Sequence, residues 1–292
     1  MVVCVISFLG LSIAPLLGNA FQRSSSPEPE GQTDLSQSDE QLLRDQAKGF
    51  ELVLQREPGN QTALRSLMDI RLQLGEIDAV IPHLEKFAEL NQDNGDYTIL
   101  LAQVKQQTGD SEGAAQTYRQ LLEANPGNLK ALQGLVALLL QENRPTAAVS
   151  LLQDTLKLAP EANEAKPGTI DKPSVQLILG QVYTEQNRYA DAVDIYDQVQ
   201  AENAEDFRPV LAKAIVLKTE GKQAADYEPL FEQAIALAPD EYKDQIQQMA
   251  TATNVSGGSA APNPGATGNA APDSPAPPSE AQGETSPAVP TE

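Results

Sequence analysis

Residues 173–206 place Leu179 and Gly180 just ahead of Tyr183, and Ala192 four residues ahead of Tyr196. The same order of small and large residues returns at a fixed distance along the chain. Residues 95–128 give Leu101, Ala102 and Lys105, then Ala114 and Tyr118, then Pro126. Residues 129–162 give Leu132, Leu135, Val136 and Leu139, then Ala148 and Leu152, then Pro160. Starts at 61, 95 and 129 are each 34 residues apart, as are those at 173 and 207. The unit at 61–94 is plainer, with Leu64, Leu67 and Met68, then Val80 and Leu84, and no closing proline. The unit from 207 to about 241 carries Ala214, Leu217, Phe231, Ala234 and Pro239, and needs one inserted residue after Gly221. Ten residues are extra between the units at 129 and 173; they fall in 161–173, where Pro167, Gly168 and Pro173 predict a loop. A unit of this length cannot bury its apolar face alone, so the pattern demands neighbours stacked side by side.

Close packing explains the order. Small residues at Gly180 and Ala192 let two antiparallel helices approach, and Tyr183 and Tyr196 fill the space left at their contacts. Between the helices, Gly75, Gly109, Asn143, Asn187 and Gly221 stand at equivalent positions, and glycine and asparagine are the residues that take a positive φ cheaply. Period, order and turn residues resemble the tetratricopeptide repeat, in which each unit is a helix pair. The expected fold is therefore all-α, an α-solenoid of about five such pairs over residues 38–250. A capping helix is expected at each end. The first opens at Ser38 with Gln41 as a capping box and carries Leu42, Leu43, Phe50 and Leu54 at helical spacing; the second covers residues 240–249.

The ends differ from this middle. Residues 2–17 are an uncharged apolar run near the lower limit for a membrane span. Two readings compete for residues 1–20: an uncleaved anchor contacting the membrane through residues 2–18, or a signal segment cleaved near Ala20, with Gly18 and Ala20 as the small flanking residues. Residues 21–37 read as a polar linker. Residues 251–292 have no lysine, arginine or aromatic residue, and are expected to stay disordered because they offer too little apolar area to offset ordering entropy.

Charge and residue counts narrow the chemistry. A formal net charge of -21 sets the chain against phosphate backbones, so no nucleic-acid partner is expected. One cysteine, Cys4, excludes an internal disulfide framework and a multi-thiolate metal site, and His83 is the sole histidine. His83 falls on a second helix, outward by periodicity, with no nucleophile arranged around it. No Gly-rich phosphate loop or paired metal-binding carboxylates stand out. The expectation is a binding protein: no catalytic residues, no metal, no cofactor and no small-molecule substrate.

A stack of this kind lines a concave surface with the first helix of each pair. The inward positions read Thr62, Arg65, Asp69 and Gln73; Gln103, Gln106 and Gln107; Lys130, Gln133 and Gln141; Gln181 and Glu185; Arg208 and Lys218. Glutamine offers donor and acceptor together, which suits the backbone of an extended protein or peptide client. The partner-binding candidates are Arg65, Gln73, Gln103, Gln106, Gln107, Lys130, Gln133, Gln141, Gln181 and Arg208. Chaperone-binding repeats grip a terminal carboxylate with Lys and Asn at fixed groove positions. Arg65 and Asp69 in the first unit, and Leu100 in the second, depart from that clamp.

The order of features resembles the chloroplast "slow green" tetratricopeptide proteins and their cyanobacterial relatives. It runs from an N-terminal apolar segment through a lone helix and the repeats to an insertion before "LILGQVYTEQNRYADAVDIYDQV", then "EDFRP" at 205–209. The likeness covers roughly residues 40–245. It implies a membrane-associated scaffold assisting assembly of photosynthetic membrane complexes, and brings no catalytic residues. The alternative is an exported soluble envelope protein whose repeats serve structure or oligomerisation.

Overall fold

A computed structural model describes residues 36–252, all of which lie in the first of two units, 1–262 and 263–292. The apolar segment at 1–20, nearly all of the linker, and the tail beyond residue 252 lie outside the described residues. Among the described residues there are twelve helices and no strand. They are α1 (Gln37–Arg56), α2 (Gln61–Gln73), α3 (Ile77–Leu90), α4 (Gly95–Gln107), α5 (Ser111–Ala124) and α6 (Leu129–Gln141). They continue as α7 (Pro145–Ala165), α8 (Lys172–Glu185), α9 (Tyr189–Glu202), α10 (Phe207–Glu220), α11 (Ala224–Leu237) and α12 (Asp240–Thr251). The result is an all-α solenoid: each helix packs on the next, and the pairs α2/α3 to α10/α11 are flanked by α1 and α12.

Two local devices repeat with the pairs. The first helices are capped by Asn60, Asn94, Asn128, Asp171 and Asp206, whose side chains accept a hydrogen bond from a backbone N–H of the first turn. At their other ends, Gly75, Gly109, Asn143, Asn187 and Gly221 have φ of 71°, 87°, 63°, 58° and 83°. In each case the residue after the turn residue donates its N–H back across the last turn at 2.8–3.0 Å, as Glu76 does to Arg71 O and Arg188 to Tyr183 O. This is the six-to-one bond of a Schellman motif, which a left-handed residue makes possible.

The core runs between the helices. The position held by Leu84, Tyr118, Leu152, Tyr196 and Phe231 is buried in every pair. Gly180 accepts the Tyr196 ring: a Cβ there would come within 2.6 Å of Tyr196 Cζ. Gly134 does the same for Tyr118 of the preceding pair, where a Cβ would come within 2.6 Å of Tyr118 Cε1. The first contact closes a pair and the second joins two pairs.

Two expectations are corrected. The N-cap of α1 is Ser36, whose hydroxyl accepts from Asp39 N at 3.3 Å, so the helix starts ahead of the Ser38 box. The 161–173 insertion is mostly not a loop. α7 runs through Pro160 to Ala165, because "EANEA" favours helix strongly enough to carry the chain past the bond that Pro160 cannot make. The true loop is 166–171 and is held tightly: Asn163 Nδ2 donates to Ile170 O at 2.9 Å and Ile170 N donates to Asn163 Oδ1 at 2.8 Å. Ile170 is buried in the core, and Thr169 O lies against Gly127, where a side chain would collide with it.

Candidate partner-binding groove

First helices of successive pairs touch one another along the stack (α4 with α6, α6 with α8, α8 with α10), whereas second helices do not touch each other to a comparable extent. Closer spacing on one side bends a stack toward that side, so the first helices line its inner surface.

Side chains one repeat apart meet across this surface. Lys130 Nζ donates to Asp96 Oδ1 at 2.9 Å, Gln106 Nε2 to Gln141 Oε1 at 2.7 Å, and Arg65 Nη2 to the Tyr97 hydroxyl at 3.2 Å. The Lys130–Asp96 pair is well exposed and adds little stability. Gln73, Gln107, Gln141 and Gln181 are exposed, while Gln103, Gln106 and Gln133 are half-buried. Gln103 Oε1 is buried with no hydrogen-bond partner.

The basic residues behave differently from what periodicity alone implies. The Arg65 guanidinium lies 4.9 Å from the Phe87 ring centroid. Arg208 is not an open contact: Nη2 pairs with Asp206 Oδ2 at 2.7 Å and Nη1 donates to Ser174 Oγ at 3.0 Å. Ser174 in turn bonds the Asp171 cap, so "EDFRP" locks the start of α10 onto the start of α8. Lys218 donates to the carbonyls of Met249 and Ala250 at 2.8 and 2.9 Å, tying α12 down beside a cavity of about 530 Å³.

Two groove carboxylates keep acceptor capacity. Burial raises the pKa of Asp69, offset in part by Arg65 one turn away, and raises that of Glu185, offset in part by a hydrogen bond from Gln181. Among the described residues neither forms an ion pair. His83 is half-buried near the Arg71–Glu51 pair rather than solvated, and burial lowers its pKa. Among the described residues no group of three His, Cys, Asp or Glu side chains is placed to hold a metal ion, and no helix is long and apolar enough to cross a membrane.

Periodicity assigned the candidate residues to the first helices of the pairs, where they lie, but missed the Asx caps, the Gly134 cradle and the inward-turned cations. The first two had a signal in the sequence: Asn60, Asn94 and Asn128 recur every 34 residues, and Gly134 is the glycine inside an Ala/Leu helix.

Tetratricopeptide-repeat models match residues 65–129, 105–167 and 177–206. A curated relative is cellulose synthase operon protein C of Pseudomonas fluorescens, 29% identical over 137 residues, covering 44% of this chain and 11% of that protein. The chain thus spans about a tenth of that relative's length. Similar solved structures include a tetratricopeptide repeat protein from Parabacteroides merdae (18% identity, 73% of this chain and 86% of that one, TM-score 0.44). Others are MamA (16%, 63% and 94%, 0.40) and YrrB, described as a TPR protein with an unusual peptide-binding site (13%, 70% and 99%, 0.37). With its helix pairs, repeated turn geometry and matched repeat models, this chain carries a stack of tetratricopeptide repeats.

Proposed function

We propose that the chain is a non-catalytic protein–protein scaffold whose inner surface holds an extended segment of a client protein. The observation that carries this reading is the polar amide strip on the first helices. Gln103, Gln107, Gln133, Gln141 and Gln181 follow one another there, and Gln103 Oε1 lacks a partner of its own. The exposed amides of Gln107, Gln141 and Gln181 each offer a donor and an acceptor to an extended backbone. Photo-crosslinking residues placed at Gln107 and Gln141 on the inner face, and at Gln120 and Asp154 on second helices, test it. Adducts from the inner pair alone support the groove; adducts from the outer pair alone overturn it.

The finer reading rests on the N-terminal segment and on the resemblance to the slow green proteins. In it residues 2–18 tether the scaffold to a membrane as a single-pass protein, and the client belongs to a photosynthetic membrane complex. The alternative, an exported envelope protein, is favoured by Gly18 and Ala20 at a cleavage position. Retention through alkaline carbonate extraction supports the tether; release with a mature chain beginning at Phe21 supports the alternative.

A further inference from the structure

By formal count the groove is slightly basic, with Arg65, Lys130, Arg208 and Lys218 against Asp69, Asp96 and Glu185. Its contacts remove that excess. Lys130 is matched by Asp96, Arg208 by Asp206, and Lys218 by the terminal carbonyls of α12. Arg65 is laid over Phe87 and bonded to Tyr97. What faces a client is therefore rich in acceptors. Asp69 and Glu185 have no ion-pair partner among the described residues. Asp69 is also half-buried, which strengthens any charge-assisted bond it accepts, while Glu185 is open to solvent.

We propose that the groove selects a client segment carrying lysine or arginine side chains, with Asp69 and Glu185 as the acceptors that read them. This rests on the groove reading above. A carboxylate-bearing segment is the poorer partner, because Lys130 and Arg208 are already matched by carboxylates and Arg65 is shared with Asp69, while Glu185 repels it.

The test uses the full chain and three short labelled peptides. They share an extended Ser/Ala/Gln sequence and differ at two positions, which are Lys, Gln or Glu. Binding is followed by fluorescence anisotropy at low and at physiological ionic strength. The Lys peptide should bind at least about tenfold tighter than the Gln peptide at low salt, the preference shrinking as salt screens it, and the Glu peptide weakest. The D69N/E185Q variant should bind the Lys and Gln peptides alike, with its circular dichroism unchanged. That variant still carries a net charge of -19, two less negative than the -21 of the parent, so a general attraction to an acidic protein would survive in it. A Lys preference that persists in the variant, or a preference for Glu, overturns the proposal. If the Gln peptide binds and Lys adds nothing, the groove reading stands and the acceptor argument falls; if none of the three binds, both fall.

Discussion

Gly180→Ala is a change that two physical effects push in opposite directions. In an exposed helix alanine is better than glycine by about 1 kcal/mol, because it has less backbone entropy to lose. Here the added methyl would come within 2.6 Å of Tyr196 Cζ and 2.9 Å of its hydroxyl oxygen. Tyr196 is 3% exposed and has little room to retreat. Overpacking of this kind costs about 1–3 kcal/mol. The net expectation is a loss of up to about 2 kcal/mol, with the propensity gain hidden inside it. Tyr196→Leu uncovers that gain: in its background the same Gly180→Ala change should stabilise by about 1 kcal/mol. Equilibrium urea denaturation of the four proteins in the cycle measures the coupling, with amide exchange in α8 and α9 as a local readout. The expected coupling is about 1–3 kcal/mol. If Gly180→Ala raises stability equally whether residue 196 is Tyr or Leu, the ring does not rest on the glycine and the packing argument is wrong.

Three further expectations follow from single features. Asn187→Ala, at a φ of 58°, should cost about 1 kcal/mol by denaturation because alanine is strained in the left-handed region, whereas Asn187→Gly should cost nothing. Asn163→Ala leaves both backbone groups of Ile170 without their partner; a loss of about 1–3 kcal/mol and faster amide exchange confined to residues near 166–171 should result. Burial pushes the Tyr118 phenol up to about 12 and raises Tyr196 as well, so both stay neutral in the folded state after an ordinary tyrosine has ionised. Because these folded-state values are raised, their contribution is complete below pH 10, the usual tyrosine value, and is lost as pH climbs from there toward 12. Alkaline titration by tyrosinate absorbance should therefore show part of the signal of the seven tyrosines appearing only with unfolding. A single smooth transition for all seven, completed in the folded state, contradicts the burial.

The helix-pair repeat was legible because it depends on side-chain volume at fixed intervals, and volume is written in residue type. Gly75, Gly109, Asn143, Asn187 and Gly221 were legible for a similar reason: a positive φ restricts the choice of residue. The end of α7 was not. Pro160 and Pro167 both signal a break, and only the tertiary clamp from Asn163 to Ile170 decides that the chain turns at the second. Nor could periodicity say which way a cation points once it reaches the inner face. Arg208 stands at an inward position, yet Asp206 and Ser174 hold its guanidinium, a contact made only when α10 has docked beside α8. The sequence thus marks the strip, while the contacts between repeats determine which of its charges remain for a partner.

The central claim, that the amide strip on the first helices binds the client, is tested most directly by changing Gln103, Gln133 and Gln181 to Ala together. These side chains are polar, Gln181 is exposed and Gln103 and Gln133 are half-buried, and surface polar contacts such as that of Gln181 with Glu185 are worth little, so helicity and thermal midpoint should stay almost unchanged. Each hydrogen bond to a client is worth about 0.5–1.5 kcal/mol, so three lost together should weaken capture of the photo-crosslinked client by at least about tenfold. A well-folded triple variant that captures the client as strongly as the parent chain contradicts the account and moves the interaction off the inner face.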